Sequence, residues 1–155
     1  MHVVIATDGS KQSLNAAQYL RSFADPDSVT SVSVIAVISP LAAVPFVTES
    51  DSGHKDIEEL SFRTAAQAAT AQVVEVLDGW GPKVTQQIRS GSPAAEIVKA
   101  AKAKDAGLIV VASQSSRAST VLMGSVAHRV LNSATCPVLV VRPGAKPKKK
   151  ATRTK

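Results

Sequence analysis

Short runs of β-branched residues alternate with longer segments of helical period along this chain. The first run, residues 2–7 (HVVIAT), ends at the turn Asp8-Gly9-Ser10, a combination typical of a strand that passes into a helix. The helix predicted to follow ends before Asp25-Pro26, because proline disfavours helical geometry in the residue that precedes it. Its predicted inward face has helical spacing and consists of Leu14, Ala17, Leu20 and Ala24.

Two further elements surround a stretch without a clear period. Residues 31–38 (SVSVIAVI) are apolar enough toward their end to predict a strand covered on both faces. Residues 41–55 contain proline and glycine and show no sustained period, so we predict a long loop there. Residues 56–77 predict a long, alanine-rich helix that ends at Asp78-Gly79. One stripe of this helix carries Ile57, Leu60, Thr64 and Ala68.

The rest of the chain continues the alternation. Residues 84–88 alternate in polarity as a half-exposed strand does, and Ser92-Pro93 begins a helix with a capping hydroxyl before a proline at the first helical position. A strand, a helix and a strand are then predicted over residues 108–112, 125–132 and 137–142. The whole pattern predicts an α/β fold, a single-domain doubly wound sheet of five parallel strands with helices on both faces.

Charge changes this picture only at the carboxyl terminus. The formal net charge of +6 arises from 18 basic and 12 acidic residues, and six of the basic residues lie in residues 144–155. The other twelve balance the acidic residues, so we predict a neutral domain over residues 1–143 and a disordered basic tail over residues 144–155. The tail is either a solvated end or a weak contact for nucleic acid or an anionic surface. With five aromatic residues in all, the domain is a poor stacking platform for single-stranded nucleic acid.

Cysteine and histidine usage bounds the compartment and the metal chemistry. Cys136 is the only cysteine, which excludes an internal disulfide and fits a reducing cytosol. We interpret it as packed rather than reactive. His2 and His54 are too scattered to form a metal site with it, so no metal site is predicted. Because there is neither a basic leader nor an apolar window long enough to cross a bilayer, we expect a cytoplasmic protein.

The most distinctive chemistry lies between the fourth strand and the fourth helix. The loop after Ala112 is rich in hydroxyls, and Gly124-Ser125 opens a helix whose first amides are suited to hold an anion. This loop and the Asp8 turn both follow carboxyl ends of strands, where ligands bind in such sheets. The sequence contains no nucleophile elbow, lysine-containing phosphate loop or paired-histidine motif, so we predict no catalytic residue and no enzyme.

Four segments, taken together in order and spacing, resemble the universal stress protein family. They are VVIATDGSKQS, SVIAVISP, RSGSPAAEIVKAAKAKDAGLIVVAS and MGSVAHRVLNSATCPVLVVRP. The resemblance covers nearly all of residues 1–143. It implies a five-stranded doubly wound fold of the adenine nucleotide alpha hydrolase type, frequent dimerisation through the last strand and, in one subclass, ATP binding.

The ATP-binding subclass of that family carries the motif G-x2-G-x9-G-[ST] in this loop. Here Ala112 and Ser115 occupy the first two glycine positions, and the interval from Ser115 to Gly124 has eight residues instead of nine. Only Gly124-Ser125 matches. A glycine in such a loop provides a positive φ or lets the backbone approach the phosphates closely, so the departures alter the entry of the loop and leave its anion-binding end intact.

The resemblance also implies which residues contact the ligand. Asp8 would take the adenine or ribose side, although capping of the first helix is an equal alternative for it. Gly124, Ser125 and Val126 would meet the phosphates, and Arg117 would either reach a triphosphate or be solvated. The candidate ligand residues, including those that would line the base pocket and the loop, are Ala6, Thr7, Asp8, Val37, Ala112, Gln114, Ser115, Arg117, Gly124, Ser125 and Val126.

The last predicted strand suggests how two chains associate. It runs from Pro137 to Arg142 and is strongly apolar. At a sheet edge, pairing with its copy in a second chain would remove the exposed strand edge, so we expect a homodimer.

The expected function is that of a dimeric regulatory or interaction protein of the stress response that binds ATP or another adenine nucleotide such as AMP. The alternatives are a dimeric stress-response interaction module that binds no nucleotide and a protein that hydrolyses ATP slowly.

Overall fold

The parallel pairing of five short strands determines the fold. The computed structural model describes residues 1–39, 52–114 and 123–147, with the backbone alone for residues 52–56. In this part of the chain the strands are β1 (His2–Ala6), β2 (Ser31–Ile38), β3 (Lys83–Ser90), β4 (Leu108–Ala112) and β5 (Val138–Val141). Their order in the sheet is β3-β2-β1-β4-β5, and every neighbouring pair is parallel.

Four helices connect the strands and cover both faces of the sheet. They are α1 (Lys11–Phe23), α2 (Ser52–Leu77), α3 (Pro93–Ala103) and α4 (Ser125–Ser133). On one face Ile5 of β1 belongs to a core with Leu20 of α1 and Val73 of α2. On the other face the preceding residue of β1, Val4, belongs to a core with Ile97 of α3 and residues of α4. Successive residues of a strand point to opposite faces, so the short apolar run of β1 serves both cores. The predicted single-domain, doubly wound α/β fold is confirmed.

The inward face predicted for α1 is also confirmed. Ala17 and Leu20 are fully buried, while Leu14 and Ala24 are partly buried and pack against the same core. The helix begins after Ser10 and ends at Phe23, before Asp25-Pro26 as predicted.

Helix α2 begins earlier than predicted. It starts at Ser52, although residues 41–55 were predicted to form a loop. Residues 52–55 have no apolar period, but adding a turn to a helix that already exists costs much less than nucleating one. Residues 40–51, which hold the rest of the predicted loop, lie outside the described residues.

The apolar stripe predicted for α2 does not face the core. Ile57, Leu60, Thr64 and Ala68 are all exposed, and the buried face is instead formed by Ala69, Thr70, Val73 and Leu77. A helix of 26 residues is about 39 Å long, whereas a parallel strand of eight residues spans about 26 Å. Only the carboxyl-terminal part of α2 therefore lies over the sheet, and periodicity alone does not say which part that is.

A polar cluster joins the amino ends of β1 and β2. The His2 ring nitrogens lie 2.6 Å from Ser31 Oγ and 3.0 Å from Ser33 Oγ. Burial lowers the pKa of His2 below its ordinary value of 6.5, and the positive charges of Lys104 and the terminal amine lower it further. The folded protein therefore favours a neutral imidazole.

We expect the free energy of unfolding to fall as the pH drops below about 6.5, and the His2→Asn variant to lack this part of the fall. Because the pKa is lower in the folded state, the unfolded chain takes up the proton first, so the stability is complete above the unfolded pKa and is lost as the pH falls through the folded one. The difference in slope between the two proteins should stay below about 1.4 kcal/mol per pH unit, the limit for one proton. Urea titrations between about pH 5 and pH 8 measure it, and equal slopes would show that another group titrates.

The end of the described chain is held against α1. The Asn15 side-chain amide donates a hydrogen bond to the Ala145 carbonyl at 2.9 Å, and Ala145 packs against the core of that face. Residues 148–155 lie outside the described residues, so disorder of the tail stays a prediction. Across residues 1–39, 52–114 and 123–147, no helix combines the length and the apolar character that crossing a membrane requires.

Candidate functional site

A cavity of about 210 Å³ opens at the carboxyl ends of β1 and β4. These two strands flank the point where the order of the sheet reverses, which is where doubly wound folds bind ligands. The structure brings nine of the eleven predicted ligand residues to the wall of this cavity: Ala6, Thr7, Asp8, Val37, Ala112, Gln114, Gly124, Ser125 and Val126. The other two, Ser115 and Arg117, lie outside the described residues.

The turn after β1 presents Asp8 to the cavity. Asp8 Oδ1 accepts a hydrogen bond from the Ser10 amide at 2.9 Å, which closes an Asx turn. Ser10, not Asp8, caps α1, since Ser10 Oγ accepts from the Ser13 amide at 3.2 Å. The capping role considered for Asp8 is therefore wrong, because Asp8 lies two residues before the N-cap. Its carboxylate stays exposed at the cavity.

Hydroxyl groups brace this turn from below. Ser13 Oγ donates to the Ser10 carbonyl at 2.8 Å, which leaves Ser13 Oγ as the acceptor for the Thr7 hydroxyl at 2.9 Å. Thr7 Oγ1 in turn accepts from the Gly9 amide at 3.1 Å. Sequence reasoning missed Ser13, which also lines the cavity. Its spacing of three from the capping Ser10 was the available signal.

Gly9 allows the turn to pass close to α2. Its φ is +79°, and a Cβ there would lie 3.3 Å from the Cβ of Ala69. A side chain at this position would therefore be strained by its backbone geometry and crowded by the helix.

We expect Gly9→Ala to lower the free energy of unfolding by about 2 kcal/mol, and Gly79→Ala by about 1 kcal/mol. Gly79 also has a positive φ, of +67°, but nothing lies within 4 Å of its added Cβ, so it reports the backbone strain alone. Urea denaturation of both variants measures the difference. Equal losses would show that α2 does not crowd the Asp8 turn.

The amino terminus of α4 forms the opposite wall. Gly124 is the N-cap, and it has no side chain with which to cap the helix. The first intrahelical bond runs from the His128 amide to the Gly124 carbonyl at 3.0 Å, so the amides of Ser125, Val126 and Ala127 have no partner within the helix. The first turn contains no acidic residue, and the positive end of the helix dipole therefore faces the cavity uncancelled.

Gly124 is required here by close approach rather than by backbone conformation. Its φ of −61° suits any residue, but its amide donates to the Ser113 carbonyl at 2.6 Å. An added Cβ would lie 3.1 Å from that same carbonyl oxygen. The absence of a side chain lets the start of α4 rest directly on the end of β4.

Ser113 is a second residue that sequence reasoning missed. It follows β4 and lines the cavity, and its side chain is 4% exposed. The signal for it was a hydroxyl directly after the apolar run of residues 108–112.

An ion pair supports the third element at the cavity. Arg89 Nε donates to Glu96 Oε2 at 2.8 Å, and this bond holds the pKa of Glu96 below its usual range, with Lys99 acting in the same direction. Glu96 lies in the first turn of α3, whose Pro93 also lines the cavity. Ser92 is the N-cap of α3, but its hydroxyl makes no capping bond, so the predicted capping hydroxyl is wrong. Pro93 supplies no amide at the first helical position, which leaves one donor fewer to satisfy.

The remaining candidate groups lie away from the cavity. Cys136 is half-buried, and burial raises the pKa of its thiol, which favours the unreactive protonated form. His128 is exposed and lies 3.1 Å from the Asn132 amide. Within the described ranges no three His, Cys, Asp or Glu side chains are grouped to hold a metal ion, and the absence of a metal site stays a prediction.

A doubly wound parallel sheet with an aspartate turn facing a helix amino terminus across one cavity defines a class of small α/β proteins. The family model described as the Universal stress protein family matches residues 1–142. The chain belongs to the universal stress protein family, as the sequence motifs predicted. A universal stress protein of Methanocaldococcus jannaschii is 36% identical over 149 residues, which cover 95% of this chain and 83% of that protein.

Solved structures show the same fold. The structure of the hypothetical protein MJ0577 has a TM-score of 0.79 at 23% identity and covers 94% of this chain and 97% of its own. A universal stress protein in complex with cAMP has a TM-score of 0.62 at 21% identity and covers 92% and 96%. One from Archaeoglobus fulgidus in complex with dAMP has a TM-score of 0.57 at 22% identity and covers 91% and 97%.

Proposed function

We propose that this protein is a dimeric regulatory or interaction protein of the stress response that binds an adenine nucleotide in the cavity between β1 and α4. One observation carries the proposal: Asp8 and the first residues of α4, whose amides have no partner within the helix, line the same cavity at the switch point of the sheet. A hydrogen-bond acceptor, the Asp8 carboxylate, thus faces an anion-binding site, the first amides of α4. A nucleotide has the two matching groups, since its ribose or base donates hydrogen bonds and its phosphate is an anion.

The apolar part of the cavity suits a planar base. Ala6, Ile35 and Val37 come from the neighbouring strands β1 and β2 and contribute small or branched apolar side chains to the wall. Asp8 lies at the end of β1, where its carboxylate is placed to accept from a ribose hydroxyl or an amino group. The cAMP and dAMP complexes of the two universal stress proteins support this ligand class, since both ligands contain adenine, a sugar and one phosphate.

The polar end of the cavity suits a single phosphate. Its donors are the first amides of α4 and the Ser125 hydroxyl, and the described residues that line the cavity include no lysine or arginine. Main-chain amides at a helix amino terminus bind phosphate without a cationic side chain. Contact between Arg117 and a longer phosphate chain stays a prediction.

Calorimetry with AMP, ATP and cAMP tests the binding proposal. We expect the wild-type protein to bind AMP, and Asp8→Ala to weaken binding by about tenfold or more, the usual loss for a hydrogen bond to a charged group. Asp8→Asn is the matched control for folding, because its side-chain oxygen is still able to accept from the Ser10 amide. No binding of any adenine nucleotide would overturn the proposal in favour of an interaction module without a nucleotide.

We propose that the cavity binds a nucleotide and does not hydrolyse it. Asp8 is the only carboxylate on the described wall of the cavity, and no histidine lines it. Its Oδ1 is already engaged by the Ser10 amide. Phosphate release from ATP should therefore stay at the uncatalysed rate.

We propose that the protein is cytoplasmic. Its single cysteine, Cys136, is a free thiol whose pKa is raised by burial, and a free thiol fits a reducing compartment.

The edge position of β5 supports the proposed homodimer. The Pro137 and Val141 carbonyls accept hydrogen bonds from the β4 side of the sheet, at 3.0 and 2.9 Å. By alternation, the backbone groups of Val138 and Val140 point to the outer edge. No other strand of the described residues pairs with that edge, and a second copy of β5 would satisfy it.

Val140→Pro tests the dimer without disturbing the bonds to β4. Proline removes one outward amide and is tolerated at an edge strand, so we expect a folded monomer by light scattering. Val140→Thr keeps the amide and the branched shape and should remain dimeric. If the Val140→Pro protein were still a dimer, the interface would not be formed by β5.

A further inference from the structure

Ser113 carries a buried hydroxyl without a partner. Its side chain is 4% exposed, and Oγ forms no hydrogen bond. The other buried hydroxyls of the described residues all have partners; these are Thr7, Ser10, Ser13, Ser33 and Thr70. Leaving such a group unsatisfied is costly, so the unpaired state of Ser113 Oγ requires an explanation.

The position of Ser113 relates this hydroxyl to the cavity. Its amide donates to the Val141 carbonyl at 2.9 Å, and its carbonyl accepts from the Gly124 amide, so its backbone is fully paired. The residue lines the cavity beside the N-cap of α4. Two other buried polar atoms lack a partner, Gln12 Oε1 and Trp80 Nε1, but neither residue lines the cavity.

We infer that the Ser113 hydroxyl donates a hydrogen bond to the phosphate of the bound nucleotide and thereby selects phosphorylated over unphosphorylated adenosine. The inference rests on the proposed function. Phosphate oxygens are strong acceptors, which suits a hydroxyl whose donor role is unused. In the structure Oγ is closed off from solvent. In the proposed complex, Oγ reaches the first amides of α4 by rotation about Cα–Cβ to another staggered rotamer. Binding then removes the cost of the unpaired donor.

Ser113→Ala should change stability and affinity in opposite directions. Without ligand, the variant should be as stable as the wild type or more stable, because an unsatisfied polar group is removed from the interior. Its affinity for AMP should fall about tenfold, while its affinity for adenosine should not change. Urea denaturation and calorimetry with AMP and adenosine measure the two effects.

Ser33→Ala is the matched control. Ser33 is 1% exposed, bonds to His2 and Thr85, and does not line the cavity. The same chemical change there should lower stability and leave the affinity for AMP as it is in the wild type.

Each outcome bears on a different claim. If the wild type binds AMP and Ser113→Ala binds it equally well, the inference is wrong and the proposed function stands. If Ser113→Ala is destabilised without ligand, the hydroxyl has a structural partner such as a buried water, and the inference is overturned. An equal loss of AMP and adenosine affinity would show that the bond is not made to the phosphate. If the wild type binds neither ligand, the proposed function fails and the inference fails with it.

Discussion

Replacing Gly124 with valine is expected to abolish AMP binding at millimolar ligand and to lower the free energy of unfolding by about 1–3 kcal/mol. A Cβ at this position lies 3.1 Å from the Ser113 carbonyl oxygen, and valine adds two methyl groups beyond it. The start of α4 must then move away from β4, which breaks the bond from the Gly124 amide to Ser113. The amides of Ser125 and Val126 move with it, so the anion seat is lost.

Gly124→Ala provides the graded control for this prediction. Its single Cβ requires a shift of only a few tenths of an ångström, so both losses should be smaller than for valine. Calorimetry at a temperature where both variants are folded separates binding from stability. If Gly124→Val bound AMP as the wild type does, the phosphate would not lie at the amino terminus of α4.

Replacing Leu20 with alanine is expected to lower the free energy of unfolding by about 3 kcal/mol, within the usual range of about 2–5 kcal/mol for such truncations. Leu20 is fully buried in the core that α1 and α2 form with the sheet. Its removal leaves a cavity that the parallel sheet beneath it is too rigid to fill. Domains of this size are stable by about 5–15 kcal/mol, so the loss is a large fraction of the total.

Phe23→Ala on the same helix is the control for burial. The Phe23 side chain is 50% exposed, and its ring contacts Tyr19 at a centroid distance of 5.6 Å. We expect a loss of about 1 kcal/mol or less from this exposed pair. Urea denaturation measures both variants, and the m-values should equal that of the wild type. A Leu20→Ala loss as small as that of Phe23→Ala would contradict the packing of α1 on the sheet.

The strands and the connecting helices were predictable because their patterns are local. Residues 31–38 and 108–112 were predicted as strands with the bounds that the structure shows. Near-continuous β-branched runs are typical of strands in a sheet that is covered on both faces, and the structure provides that environment. The failure was in α2, where an apolar stripe through Ile57 and Leu60 faces solvent, each residue being 65% exposed. Periodicity identifies a face of a helix but not the part of the helix that reaches the sheet.

The candidate site was predictable where it depends on backbone signals. Asp8 and Gly124 follow recognisable strand ends, and parallel topology brings both to one edge of the sheet. Ser13 and Ser113 were missed because their importance lies in hydrogen bonds made or left unmade in three dimensions. The choice between a capping role and a ligand role for Asp8 stayed open for the same reason, since the Asx turn that places the cap at Ser10 depends on geometry.

The sequence by itself determined the alternation of strand and helix, the family, and the two segments that meet at the cavity. These properties follow from local propensity, from the period of apolar residues and from the fixed handedness of parallel crossovers. Only the tertiary structure decided the order β3-β2-β1-β4-β5, the buried face of α2 and the unpaired hydroxyl of Ser113. Each of these depends on which distant residues come into contact, and burial and hydrogen-bond satisfaction are defined only once those contacts exist.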